Sequence, residues 1–353
     1  MKKIWFIPIF LLVLFIIIWQ SNCSGKSSAM GEDNVVYVFC DSSDWSYYQD
    51  EYERIFGKFV RTPIQENEYI LLWKNFNQWQ SLKKYKNIFF IGRLDAQDEV
   101  SLNIKNLLNQ EIIEGIQSGK YFYIPKTDVW AADQYIVFFI ANSVSDMIQK
   151  INDLGELAYN DFRNYYFARL KKNMFLRMEQ KTLQEYLEAH FPFTMRIQHD
   201  YFIANENLEE NFVWIRRLNP DRSILVHWLP ADCVTVLHSR WIIDERNRLA
   251  KITFSGDIIV EEETKAYATR FKNWNAIKLE GIWRNDSLII GGPFRNFTFV
   301  DSLTNRVYMV DYYVQAVGKL KVPFLDQLTV LAYTFDVLPE PRGIKKSSSK
   351  NRN

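Results

Sequence analysis

Histidines, cysteines and carboxylates are where chemistry would announce itself in this 353-residue chain. His190, His199, His227 and His238 never fall into His-Glu-x-x-His spacing, and no Cys/His set has zinc-finger spacing, so no metal is expected. His238 and Glu245 stand two helical turns apart, a pairing too common to point to a site. No Gly-x-Ser-x-Gly elbow or Ser-x-x-Lys motif offers an activated serine. No Gly-x-Gly-x-x-Gly or Gly-x-x-x-x-Gly-Lys-Ser/Thr loop offers a phosphate cradle, so no nucleotide cofactor is expected either. Cys40 and Cys233 lie among core-forming residues and read as buried thiols rather than reactive ones. The acidic run EEET (261–264) reads as a solvated strand edge. Glycoside hydrolysis needs only a pair of carboxylates, which a chain with 42 acids can supply, so a cell-wall or glycan hydrolase with acids in an interdomain cleft stays open as the alternative.

One residue does have a chemistry written around it. MKKIWFIPIFLLVLFIIIWQSNC places Lys2 and Lys3 before an uncharged apolar core, then short polar residues and Cys23. That order predicts a secretory signal over residues 1–22 and acylation of Cys23, with palmitate among its chains. The core is close to the lower limit of about 17 residues for spanning a bilayer, so an uncleaved anchor is the competing reading. Both hold the protein to a lipid bilayer outside the cytoplasm. Ser24 after the cysteine favours the outer membrane, facing the periplasm.

Charge narrows the partners. The chain has 43 basic and 42 acidic side chains, a net charge of +1. Setting aside Lys2, Lys3 and the cations of RGIKKSSSKNRN (342–353), the body is acidic, which argues against nucleic acid. The tail itself, residues 339–353, reads as basic and solvated.

The elements that would position a site come in two grammars. After a polar linker, 23–34, the runs VVYVFCD (35–41), EYILLWK (68–74), NIFFIGRLD (87–95) and QYIVFFIA (134–141) are apolar throughout and alternate with amphipathic stretches. This predicts an α/β domain over 35–175 whose sheet is buried on both faces. The first helix takes Ser42 or Ser43 as its cap, and DEVSLNIKNLLNQEIIEGIQSG reads as one helix ending at Gly119. A helix from about Gln180 to His190 leads into hairpin grammar, with turns at 205–211 and 219–221. Helices are expected at Val234 to Ala250, with Val236 inward, and at Pro323 to Phe335. Residues 176–338 therefore read as an α+β domain: an antiparallel sheet covered by helices.

Within it lies GIWRNDSLIIGGPFRNFTFVD (281–301). Asn285-Asp286 reads as a two-residue hairpin turn, and Gly291-Gly292-Pro293 as a break or bulge in the next strand. Trp283 and Arg284, adjacent on a strand, point to opposite faces. Gly281, on the indole's face, leaves room for the ring, so Trp283 is expected to be mainly structural. Arg284, with the backbone at Gly291 and Gly292, is the expected contact point; Trp130 in DVWAADQYIVFF (128–139) is a further candidate. A cation beside an aromatic plane suits a glycan or a peptide carboxylate.

This segment, with NFVWIRR (211–217) and DVWAADQYIVFF, resembles an uncharacterised family of envelope lipoproteins from the Bacteroidetes group, built on a domain of unknown function. The resemblance runs from about Val35 to Phe335. It implies a bacterial cell-envelope location and a lipoprotein identity, and brings no reaction, cofactor or catalytic residue. Together these readings predict a membrane-tethered, non-catalytic module that binds or assembles with an envelope protein or glycan.

Overall fold

Strands that are apolar on both sides bury themselves only under two layers of helix. The computed structural model describes residues 25–176, 179–234 and 237–343; Cys23, the segment before it, Val236 and the cations beyond Gly343 lie outside them. The described residues form two compact units: one from those up to Gly57 and Tyr69–Phe162, the other from Lys58–Glu68 and those from Arg163 onward.

The first unit opens with β1 (Val35–Phe39) and α1 (Ser42–Phe56). The cap of α1 is Asp41, not a serine: its carboxylate accepts the backbone N–H of Ser43 at 2.9 Å. A short hairpin of β2 (Phe59–Val60) and β3 (Glu66–Asn67) then belongs to the second unit. β4 (Ile70–Lys74), α2 (Trp79–Leu82), β5 (Asn87–Arg93), α3 (Glu99–Leu107) and α4 (Gln110–Gln117) follow. The single helix expected over 98–119 is two, because Asn109 interrupts it and caps the second with its side chain on the N–H of Ile112 at 2.9 Å. β6 (Tyr123–Thr127), β7 (Tyr135–Ala141) and α5 (Val144–Phe175) complete the series, the first unit taking α5 as far as Phe162.

The sheet order is β4-β1-β5-β7-β6, parallel except for β6, which pairs antiparallel with β7. Sequence grammar missed β6, since KYFYIPKTD mixes a proline and charges with its apolar residues at an edge. One face carries Phe56, Phe89, Phe139 and Phe162 edge to face, with Phe56 and Phe89 at 4.9 Å. The other stacks Phe39, Phe90 and Phe138 beneath Ile104 and Ile116. Cys40 is a buried free thiol, raised well above its usual pKa by burial first and by Asp44 next.

The second unit continues with α6 (Lys181–His190), β8 (Phe193–Thr194), β9 (Phe202–Asn207), β10 (Phe212–Arg217) and β11 (Asp221–Pro230). α7 (Ser239–Thr253) starts later than expected: residues 231–233 form a 3-10 turn, and His238 caps the helix by accepting the Trp241 N–H at 3.3 Å. Then come β12 (Ile258–Phe271), β13 (Trp274–Asn285), β14 (Ile290–Asp301), β15 (Arg306–Gln315), α8 (Val322–Ala332) and β16 (Asp336–Val337). Seven strands, in the order β12-β13-β14-β15-β11-β10-β9, are antiparallel throughout. α7 covers the face bearing Leu225, Leu279, Trp283, Phe294 and Met309. The opposite face, with Arg295, Phe297 and Tyr312, meets α8. Arg342, the first cation of the tail, is held by Glu188 at 2.5 Å.

The 281–301 stretch departs from expectation in three places. Asn285 pairs with Ile290, so the turn is Asp286 to Ile289 rather than two residues, and Ile289 takes the left-handed φ of 54°. Gly291, Gly292 and Pro293 do not break the ladder; they pair in register with Arg284, Trp283 and Ile282. The irregularity falls instead in β12, between Val260 and Lys265, where EEET bulges out opposite Gly281.

Candidate functional site

Gly281 does not make room for the indole. A Cβ there would stand 2.4 Å from Thr264 Oγ1 and 2.6 Å from the Glu263 carbonyl, so the glycine accommodates the β12 bulge. Gly292 lies directly across from Trp283; a Cβ on it would fall 1.9 Å from the Val314 carbonyl and 3.2 Å from the indole nitrogen. Gly291 likewise faces the Trp283 carbonyl, at 2.7 Å. These two glycines are close-packed backbone. Trp283 is 1% exposed, its ring 5.0 Å from that of Tyr313, and its N–H has no hydrogen-bond partner among the described residues. Arg284 points to solvent and pairs with Asp286 at 3.1 Å. Trp130 belongs to the first unit, where it meets Trp79 edge to face at 4.6 Å and lines a small aromatic cleft with Phe76, Phe90 and Leu107. The residues singled out from the sequence therefore fall in two different units and do not share one pocket.

A cavity larger than this cleft lies elsewhere in the second unit. It has about 460 Å³ of space, enough for a small ligand. Its floor is the α8-facing side of the sheet, where strand alternation places Lys278, Arg295, Phe297 and Tyr312. Thr329, Val330 and Tyr333 from α8 and the turn after it form one wall, and Arg163, Asn164, Phe167 and Lys171 from α5 the other.

Four cations line this space, and among the described residues no carboxylate does. The acids stand behind them. Arg295, buried in the floor, donates to Thr329 Oγ1 at 2.9 Å and to Asp326 at 3.4 Å. Its Nε lies 3.7 Å from Glu280 and makes no hydrogen bond. Glu280 also receives the Lys278 ammonium, so one carboxylate serves two cations. Arg163 reaches Glu68 at 3.4 Å. Lys171 stands exposed at the rim.

Protonation follows from this crowding. Burial, then the neighbouring Arg295, pushes the Lys278 ammonium below its usual pKa. Burial pushes Glu280 up, but Lys278 and Arg295 outweigh it and hold the carboxyl below its usual range. Burial opposes the charge on Arg295, yet Tyr312, Asp326 and Glu280 keep it firmly cationic. Asp326 is pushed up to about 6 by burial, against the pull of Arg295 and a hydrogen bond from Tyr166 at 3.0 Å. Chemically, the arrangement can hold an anion beside aromatic rings.

Sequence reasoning passed over Arg295 and Lys278. Their signal was phase: in PFRNFTFVD, Arg295 alternates with Phe297 and Phe299, so a charge sits on a core-facing position.

An α/β unit followed by an antiparallel α+β unit with a cation-lined pocket is what fold and site define. Residues 29–175 match the family described as Domain of unknown function (DUF8532), and residues 179–334 match Domain of unknown function (DUF4837). The two matches fall on separate stretches of the chain, and both families are described only as domains of unknown function. No curated protein matches. Among solved structures, a protein of Bacteroides thetaiotaomicron is similar at a TM-score of 0.26 and 8% identity, over 41% of this chain and 45% of its own length. This chain therefore spans less than half of that protein. LpqN of Mycobacterium tuberculosis, described as involved in cell envelope biogenesis, is similar at 0.28 and 12% identity, over 42% of this chain and 83% of its own. The Ran-binding protein Mog1p of Saccharomyces cerevisiae is similar at 0.29 and 12%, over 42% and 90%. Likenesses this remote assign no role to either unit.

Proposed function

We propose that the chain is a membrane-tethered envelope lipoprotein, acylated at Cys23, that works as a non-catalytic binding module for a glycan or protein partner. The observation that carries the binding role is the pocket of the second unit: its cations face the space while their carboxylates stand behind the lining. A glycosidase presents a pair of acids to its substrate, and this lining presents the opposite charge. The tether rests on the Lys2-Lys3, apolar core, Cys23 order, and the outer membrane, periplasm-facing location on Ser24.

Two measurements test the reading. Cys23→Ala should abolish acyl labelling and shift the protein out of the membrane fraction; unchanged mass and fractionation would leave an uncleaved anchor instead. Crosslinking of the tagged protein in intact envelopes should recover a partner whose yield falls when Lys171 is reversed to Glu. Hydrolysis of envelope glycan by the purified chain would refute the non-catalytic role.

A further inference from the structure

Resting on that reading, we propose that the ligand of the second-unit pocket is an acidic saccharide: a sugar ring bearing a carboxylate or phosphate, with its anion over Arg295 and Lys278 and its ring among the aromatic side chains. The charge comes first. Arg163, Lys171, Lys278 and Arg295 line the space, and the acids they reach, Glu68, Glu280 and Asp326, stand behind the lining. Two cations share Glu280, and among the described residues the Arg295 Nε–H finds no acceptor, in a residue 7% exposed. Holding such groups together away from water is costly unless a counter-charge arrives. An anion on the floor supplies it.

The walls decide what carries the anion. Phe297 stands between Tyr312 and Tyr333, at 6.4 and 5.8 Å, and Phe167 faces them from α5. These rings alternate with Asn164, Thr269, the Tyr312 hydroxyl and Thr329. A fatty acid would set hydrocarbon against Asn164 and Thr269, while the Tyr312 hydroxyl and Thr329 already bond each other. A bare phosphate ion would leave the rings unused. A sugar presents C–H faces to the rings and hydroxyls to the amide and hydroxyl groups, and about 460 Å³ has room for one or two rings.

The test is calorimetric titration of the full chain in detergent with digalacturonate, glucose 6-phosphate, neutral digalactose and inorganic phosphate. At least one of the two acidic sugars should bind, about tenfold or more tighter than digalactose and less tightly as salt rises. Which of the two binds distinguishes a carboxylate source from a phosphate source. Lys171→Glu, an exposed change at the rim that spares the fold, should weaken the acidic sugar and flatten its salt dependence. Tyr333→Ala should weaken the acidic sugar without raising the affinity for inorganic phosphate. Equal affinity for digalactose, or inorganic phosphate binding as tightly as the sugar acid, overturns the proposal. If neither acidic sugar binds at millimolar concentration but the crosslinked partner still depends on Lys171, the ligand class falls and the binding module stands. If the partner is absent as well, both fall.

Discussion

Removing the Trp283 side chain separates a packing role from a contact role. The indole is 1% exposed and lies in the cluster under α7, against Tyr313 at 5.0 Å and beside Leu279 and Phe294. Trp283→Ala should therefore leave a cavity that costs about 3–5 kcal/mol. One term works against this: the buried indole N–H is unpaired, and deleting such a group returns about 1–3 kcal/mol. The net loss should therefore be about 2 kcal/mol. Trp283→Phe removes the same N–H and keeps a ring, so it should cost less than about 1.5 kcal/mol. Arg284→Ala breaks only an exposed pair with Asp286 and should stay within about 1 kcal/mol. Urea unfolding followed by far-ultraviolet circular dichroism measures all three, with the slope m expected to stay constant. If Arg284→Ala proves more destabilising than Trp283→Ala, the segment is a salt-bridge hub and the packing argument fails.

Gly281→Ala should cost about 1–3 kcal/mol by the same assay, since its Cβ would meet the Glu263 carbonyl at 2.6 Å, backbone that cannot rotate away. Asp326, raised to about 6 in the fold from an ordinary 3.8, favours folding most when protonated, so its contribution is full below about pH 4 and fades as pH rises through 6, by up to about 3 kcal/mol. The stability of wild type relative to Asp326→Asn should fall over that window; a constant difference would show that the carboxyl titrates normally. Glu245 runs the other way: burial pushes it up, but the His227 ring at 3.1 Å and hydrogen bonds from Arg248 bring it down to about 2. Its contribution is present above about pH 4.5 and lost as pH falls towards 2, so wild type and Glu245→Gln should converge in stability under acid.

Much of the architecture was legible because it rests on local rules. The apolar runs at 35–41, 68–74, 87–95 and 134–141 hold the four parallel strands, since segments apolar on both sides bury well in a sheet covered on both faces. The strand phase of 281–284 placed Trp283 inward and Arg284 outward, because side chains alternate whatever the neighbouring strand does. Local hydrogen-bonding chemistry also divided 98–119 at Asn109, a signal present in the sequence and outweighed there by helical periodicity.

What tertiary structure alone decided is which residues share a surface. Gly281 is small because the bulge at Glu263 and Thr264 leans on it, and Gly292 because β15 passes behind it. Arg295 and Lys278 stand side by side only because Glu280 pairs with Arg295, and Phe297 with Lys278, across β13 and β14. Slipping that register by one residue would send one of the two cations to the α7 face and dissolve the pocket floor. Composition gives the charges and alternation gives their phase, but pairing between strands is a long-range choice. It is settled by how the whole sheet buries its two faces, and that is where the candidate site comes from.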